Sequence, residues 1–497
     1  MNILDKAILY VDPKRGYERL SYREAAQRTS YDSGNNGRRN SGWNVVNATA
    51  EQTDSMQRDI IRARARDLER NSDIAESILN AYERNVVGRG FKLQAKIVNK
   101  DGNEDDSLNK EIEDLFKEWE KPKNCDLTGQ QSFKELCTMA VRRIRVDGAI
   151  IFIKNYTEDG IVPFKLQARE IDELDTNLNW RNENNNNRVI GGIELDKYNK
   201  PVAYYFKEYT PDGYYTGDTT RIEADRVIYL YKKIRPSQVR EMSQLSRTMG
   251  RVRDVNEFVE AVSVKERVTA CLSAFITKLN GGGGSGLGRG STAIKDSKSG
   301  YEQQTLTPGM IMELQPGEDV KAVNPSSSSS SAKDFIMSQL RLIGAGQGLS
   351  YESISRDMSQ VNYSSARQGL LEDQKSYREV QDFLVDHFLN EVYEEFLNAA
   401  ILSNTIKIKD FYKDKTRYLK HVWISSGWGW IDPLKEVKAN KEAVDSNIDT
   451  LARVCAERGE DWRDVIDQRA KELEYIKELT GSDLEYDESK VKVKTKK

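Results

Sequence analysis

The stretch from residue 245 to residue 350 does most to limit what this chain can fold into. Leu245, Met249, Val252, Val255, Val259 and Val262 recur at helical spacing, and Cys271, Leu272, Phe275 and Ile276 continue the pattern. Over 245–279 an unbroken helix would reach roughly 50 Å. It runs into "NGGGGSGLGRGSTAIKDSKSG" (280–300), a flexible tip. "MIMEL" and "DVKAV" then read as a short strand pair joined by the turn Gln315-Pro316-Gly317. Past Pro325, a serine run offers N-caps to a helix carrying Phe335, Ile336, Leu340 and Ile343. A helix goes out, a small tip turns, and a helix comes back: a stalk with an end-piece.

With 497 residues the chain exceeds one simple core, so two to four structural units are expected. Hydrophobic residues make up 38% and charged residues 31%, a balance suited to elongated shapes and to subunits that re-bury surface in an assembly. The net charge of −3 argues against a protein that grips nucleic acid statically, because such grip comes from phosphate neutralisation. It leaves room for one past which nucleic acid slides. Cys125, Cys137, Cys271 and Cys455 form no C-x-x-C, so free thiols in a reducing compartment are expected. The N-terminus shows no secretory pattern, and no apolar run approaches the roughly 18 residues of a membrane span.

Residues 1–50 read as a polar, mobile arm. Two helices follow, one with a basic face at Arg62, Arg64 and Arg66, the next with Ile74, Ile78 and Tyr82 on one face. Asn71, Ser72 and Asp73 are candidate caps between them, and Gly88 is a natural stop. Further helices are expected around Leu115–Trp119 and Phe133–Val146. "GAIIFIKNY", "VPFKLQARE", "RVIGGIELD", "PVAYYFKEY" and "DRVIYLYKK" read as strands of a mixed α+β unit. A long helix is expected from about Ser364 to Leu402, with Leu370, Val380, Phe383, Leu384, Phe388, Val392 and Phe396 on its face. "TIKIKDF" and "HVWISSGWGW" look strand-like, 431–480 looks helical, and "KVKVKTKK" is a basic tail.

Catalytic and metal patterns are not found. The two histidines, His387 and His421, lie far apart, and packing is the expected role of His387 beside Phe383 and Phe388. There is no zinc spacing, no G-x-S-x-G and no H-E-x-x-H. The glycine run contains G-x-G-x-x-G without the strand-then-helix context of a nucleotide site. No cofactor and no metal are expected.

The order of these features resembles the portal proteins of tailed bacteriophages, lambda-type branch. The stretches that carry it are "RARARDLERNSDIAESILNAYERNVVGRGF" (62–91), "GGIELDKYNKPVAYYF" (191–206), "RIEADRVIYLY" (221–231), "RPSQVR" (235–240), "LQPGEDV" (314–320), "LRLIGAGQGLSYESISRDMSQVNYSSAR" (340–367) and "WGWIDPLKEVKA" (428–439). Where the pattern has a glycine after Arg240, this chain has Glu241. The resemblance implies an α+β portal fold with wing, two-helix stem, clip and helical crown, assembling as a ring, commonly of twelve. The implied layout is an arm (1–50), a wing (51–244), a first stem helix (245–279), a clip (280–325), a second stem helix (326–350), a channel loop with long helix (351–402), returning wing strands (403–430), and crown helices with a basic tail (431–497).

The implied role is non-enzymatic: a channel at one capsid vertex for packaging and ejecting double-stranded DNA. Implied partners are the terminase large subunit, the major capsid or scaffolding protein, and a head-tail connector protein. The implied location is the virion, after assembly in the host cytoplasm. The competing readings are another adaptor ring of the virion and, further off, a DNA-processing enzyme.

Within that frame Ser359, Gln360, Val361 and Asn362 are channel-loop candidates. They have no fixed charge, so they can brush a duplex without anchoring it. The alternative is a helix-capping loop with Ser364 as N-cap. On the stem, Arg247, Arg251, Arg253 and Lys278 are candidate channel charges, with intersubunit salt bridging as the alternative. Arg289, Lys295 and Lys298 are the clip's docking candidates. Arg62, Arg64 and Arg66 read as a solvated face or a subunit or scaffold contact. Trp428 and Trp430 read as core packing, or else as a contact for capsid protein.

Overall fold

The computed structural model describes residues 8, 10–19, 42, 45–99, 101–181, 186–210, 212–272, 294–295, 302–303, 329–359, 362–429 and 432–480. Met1–Ser55 and Met56–Lys497 form separate compact units. In the first, residues 13–19 are helical, and Asp12 Oδ1 accepts from the Arg15 backbone N–H at 3.2 Å.

Along the chain, α1 (Ala50–Asn71) and α2 (Asp73–Tyr82) lead to β1 (Lys92–Ala95), α3 (Asp106–Trp119) and α4 (Phe133–Val146). The strands β2 (Ala149–Asn155), β3 (Lys165–Arg169), β4 (Trp180–Arg181), β5 (Arg188–Ile190), β6 (Ile193–Leu195), β7 (Pro201–Tyr209), β8 (Tyr215–Glu223) and β9 (Val227–Tyr231) follow. Next come α5 (Met249–Leu272), the two-residue strands β10 (Ile294–Lys295) and β11 (Glu302–Gln303), α6 (Ser329–Gln347) and α7 (Tyr351–Ser355). The long helix is α8 (Tyr363–Leu384), a π-turn (Val385–Leu389) and α9 (Asn390–Leu402) in sequence. β12 (His421–Ile424), α10 (Pro433–Asp445), α11 (Leu451–Glu457) and α12 (Trp462–Thr480) complete the described part.

Local chemistry sets the boundaries. Ser72 is the N-cap of α2, accepting from the Ala75 N–H, so the middle of the three candidates is the one used. Ser132 and Glu135 form a reciprocal capping box at the start of α4. Gly88 follows the π-turn Glu83–Val87 at φ +49°, and a Cβ there would collide with Ser426.

The strand β2 pairs antiparallel with β3 and β9, while β4 to β8 form a second antiparallel sheet in chain order. Ala149, Ile151 and Ile153 of β2 pack with Ile193, Tyr204 and Phe206 of the second sheet. Ile150 and Phe152, on the other face, join the helical core. Burial on both faces explains why "AIIFI" runs apolar without alternation. The helical core is aromatic: Trp119 stacks on Phe164 at 5.6 Å and donates its indole N–H to the Phe164 carbonyl, and Phe152 stacks on Phe388 at 4.6 Å. β1 pairs antiparallel with β12, joining segments more than 300 residues apart.

One strand expectation is corrected. "TIKIKDF" (405–411) alternates but forms turns, followed by a 3₁₀ turn at Phe411–Lys413. Ile406 and Phe411 are buried in the core, so its apolar residues are consumed there without any strand partner. The expected pair "MIMEL" and "DVKAV" lies outside the described residues, as do most of the glycine-rich tip and Trp430.

Candidate channel and docking surfaces

The helices α5 and α6 run antiparallel. Gln347 Nε2 donates to Thr248 Oγ1 at 2.7 Å, Arg251 reaches Gln339 at 3.5 Å, and the rings of Phe258 and Phe335 lie 4.6 Å apart. Gly346 permits the close approach at the root, where a Cβ would come within 2.6 Å of the Thr248 methyl. The root is tied to the body by Tyr82, whose hydroxyl donates to the Gln347 carbonyl at 2.7 Å. Among the described residues of the pair, apolar burial is confined to that end, at Val252, Val255 and Ile343. Val259 (45%), Val264 (43%), Phe335 (40%) and Leu342 (49%) remain exposed, so the described residues do not cover the pair.

Of the predicted stem charges, Arg247 and Arg251 are exposed and have no ion pair among the described residues. Arg253 is exposed and pairs with Glu257 one turn on, at 2.7 Å. This pair lies within one helix, so it decides neither for a channel charge nor for intersubunit salt bridging. Lys278, Arg289 and Lys298 lie outside the described residues. Lys295 falls in β10, paired with β11, and its side chain lies outside the described part.

The channel-loop candidates fall between two fixed flanks. Before them, α7 is N-capped by Ser350 and ends at Arg356, whose φ of +56° is left-handed. The buried Asp373 of α8 accepts from the Ser350 N–H and Oγ, each at 2.7 Å, and from Ser353 Oγ. Ser77 Oγ donates to the Ile354 carbonyl at 2.7 Å. Beyond that anchor, Ser359 and Asn362 are exposed, and Gln360 and Val361 lie outside the described residues. The N-cap of the long helix is Asn362, not Ser364. Its Oδ1 accepts from the Ser365 N–H at 2.9 Å and from Ser365 Oγ at 2.7 Å. Asp373 escaped sequence reasoning, though it shares the buried stripe with Tyr377 and Leu384. A lone acid on an apolar stripe was the available signal.

The basic face of α1 is corrected. Arg62 is buried and contacts Glu241 at 2.9 Å, Asp172 at 3.1 Å and Asp59 at 2.6 Å. Arg66 pairs with Asp147 at 2.6 Å and Asp172 at 2.5 Å; Arg64 alone is exposed. The acids come from distant segments, which a helical pattern cannot show. Glu241 is fully buried, held by Arg240 Nε at 2.8 Å, by Arg62 and by the Tyr229 hydroxyl, while its carbonyl accepts from Arg58 at 3.0 Å. Burial opposes its charge, but Arg240, Tyr229 and Arg62 outweigh burial and hold its pKa down at about 2.

His387 is exposed, its ring 4.8 Å from Phe383, so it flanks the core without entering it. His421 is half-buried between the Leu419 carbonyl and Asn390, and burial lowers its pKa. Trp428 is half-buried against the core, 6.4 Å from the Tyr377 ring. Among the described residues no three His, Cys, Asp or Glu side chains are grouped to hold a metal ion.

Residues 36–381 match the family described as "Phage portal protein, lambda family". The chain belongs to that family. Over 463 residues it is 27% identical to the probable portal protein of Halomonas phage phiHAP-1, covering 91% of this chain and 86% of that one. It is 21% identical over 444 residues to portal protein B of Escherichia phage lambda, covering 82% of each. Among solved structures it is similar to a chain in the neck of a native gene transfer agent particle, with a TM-score of 0.34 and 16% identity, over 61% of this chain and 74% of that one. As a portal protein it is a structural component of the phage virion and serves as the DNA channel of the head.

Proposed function

We propose that copies of this chain close into a ring, commonly of twelve, in which α5 and α6 form the stem around the duplex. The observation that carries the reading is the exposure of Val259, Val264, Phe335 and Leu342 beside uncompensated Arg247 and Arg251. A neighbouring stem covers the apolar side chains, and the arginines supply a field along the bore. In this reading the tip over 280–325 is the clip, where Arg289, Lys295 and Lys298 dock the terminase large subunit during packaging and a head-tail connector protein afterwards. The mixed body is the wing, facing the major capsid or scaffolding protein, and α10 to α12 form the crown. Assembly takes place in the host cytoplasm. End-on rings with a central hole in micrographs of the purified protein, with a native mass of many protomers, are expected. A stable monomer under assembly conditions would refute the reading.

The segment 357–362 is the channel loop, uncharged from Met358 onward and hung between the Asp373 anchor and the Asn362 cap. Repeating a cation there around the ring would let counterion release anchor the duplex. Gln360→Lys is therefore expected to slow or stall packaging while rings assemble normally. Asn362→Ser, which keeps a capping oxygen, serves as the control. Normal packaging by the lysine variant would remove the loop from the channel wall.

A further inference from the structure

Arg145, in the last turn of α4, is a buried cation that meets no carboxylate among the described residues. Its side chain is 6% exposed, forms no ion pair among the described residues, and leaves Nε without a hydrogen-bond partner. The guanidinium lies 3.0 Å from the centroid of the Tyr82 ring, whose hydroxyl is already committed to Gln347. Burial pushes its pKa down to about 10, only partly offset by Tyr82 and then by Tyr377 and Glu379, so it stays charged at neutral pH. A buried charge normally has its partner in contact, because desolvation of a lone ion is costly. Arg62 and Arg240, also buried, obey that rule.

The surroundings say what is missing. Arg145 lines a cleft of about 410 Å³ shared with Lys232, Lys233, Arg247, Ser376 and Glu379. Four cations face one carboxylate, and Glu379 is already paired with Lys232. Lys233 and Arg247 have no ion pair among the described residues. We infer that this cleft is an oxyanion site, with Arg145 as its floor, that receives the carboxylate side chain of an Asp or Glu from a second copy of this chain.

A carboxylate matches the planar fork of a guanidinium, and a narrow side chain can reach a recessed one. The phosphates of a duplex are fixed in a stiff backbone and cannot extend into a recess as a side chain does. The chain carries 79 acidic residues against 76 basic ones, so a neighbouring copy has acids to offer. The neighbour's part in this inference rests on the ring reading; the oxyanion site does not.

The test uses the full-length chain, wild type and Arg145→Met, Arg145→Lys and Lys233→Ala, with inorganic phosphate as probe against chloride at equal ionic strength. In dilute protomer, phosphate is expected to raise the wild-type melting temperature. The response should vanish in Arg145→Met, weaken in Lys233→Ala and survive in part in Arg145→Lys. In assembled rings the phosphate response should be absent, because the neighbour fills the site. Arg145→Met should also raise the protomer concentration for half-assembly by roughly thirtyfold or more.

No phosphate response in wild-type protomer overturns the oxyanion site. An undiminished response in the surface variant Lys233→Ala overturns it too, whether or not Arg145→Met folds. Rings of Arg145→Met forming at the wild-type concentration overturn the neighbour's part. So does a phosphate response that persists in wild-type rings, which would identify free phosphate or nucleic acid as the ligand. A chain that never forms rings refutes the ring reading, and the protomer titration still decides the site.

Discussion

In the mixed body, Glu241 is fully buried and meets Arg240, Arg62 and Tyr229; on the helix pair, Arg247 and Arg251 face solvent without an ion pair among the described residues. The apolar side chains divide the same way. Trp119, Phe152, Phe388 and Phe396 are sealed in the body, whereas Val259, Val264, Phe335 and Leu342 are open on the pair. The Glu241 cluster and the aromatic core are satisfied from within one chain. Among the described residues the pair and the Arg145 cleft find no such partners. A channel built from repeated copies needs both kinds of region: one that holds its shape alone, and one that gains its wall from neighbours.

The largest effect is expected where the body's self-sufficiency is broken. Glu241→Ala takes from Arg240 and Arg62 the buried carboxylate they share and should cost about 3–5 kcal/mol in protomer unfolding by denaturant. Replacing Arg240 by Met in the same chain should recover part of that loss. The pH dependence has a definite sign. The folded pKa of Glu241 is depressed to about 2, so its contribution is complete above its ordinary value near 4.5 and lost as pH falls toward 2. A change below about 1 kcal/mol for the alanine variant would mean that the body does not depend on this cluster.

These contrasts also explain what could be read from sequence. The helices were legible because capping and periodicity are local: Ser72, the Ser132–Glu135 box and the stripe Tyr377, Leu384, Phe388 each rest on neighbours within a few turns along the chain. β2 was legible as an apolar run. β8 was not, because "YTGDTTRIE" is largely exposed and owes its extended state to pairing with β7. "TIKIKDF" misled in the opposite direction, since alternation describes a strand only when another backbone lies alongside. The cap at Asn362 was hidden among neighbouring polar residues, and side-chain reach to Ser365 decides it. The bridge between Arg62 and Glu241 and the stacking of Arg145 on Tyr82 each span more than fifty residues, and no window along the chain contains both sides.

A smaller effect, of opposite pH sign to Glu241, is expected at the seam between β1 and the C-terminal helices. Glu113 accepts from the Ala95 N–H at 2.8 Å, yet burial and the charge of Asp461 push its pKa up to about 7. A raised carboxylate favours the folded state when protonated. Its contribution is therefore complete below about 4.5 and lost as pH rises to about 7. Glu113→Gln keeps an oxygen for Ala95 without the charge. It should melt above wild type at pH 8 and level with it near pH 4, by thermal scans across that range. A wild-type advantage at pH 8 would show that the ionised form is the one the fold holds.

The smallest effect on the protomer belongs to the helix pair, and this is what separates a surface charge from a charge awaiting a neighbour. Arg253 is exposed, and its pairing with Glu257 places the arginine N-terminal to the acid, the weaker of the two helical orientations. Arg253→Gln should leave protomer melting unchanged within experimental scatter, because solvent and salt already screen the pair. In an assembled ring the same change is repeated in every copy and alters the field along the bore, so it should appear in the salt dependence of DNA packaging. If ring melting falls while protomer melting does not, Arg253 binds a neighbouring subunit instead of addressing the channel. If neither melting nor salt dependence moves, the pair is an ordinary solvated turn, and Arg253 has no part in guiding charge along the channel.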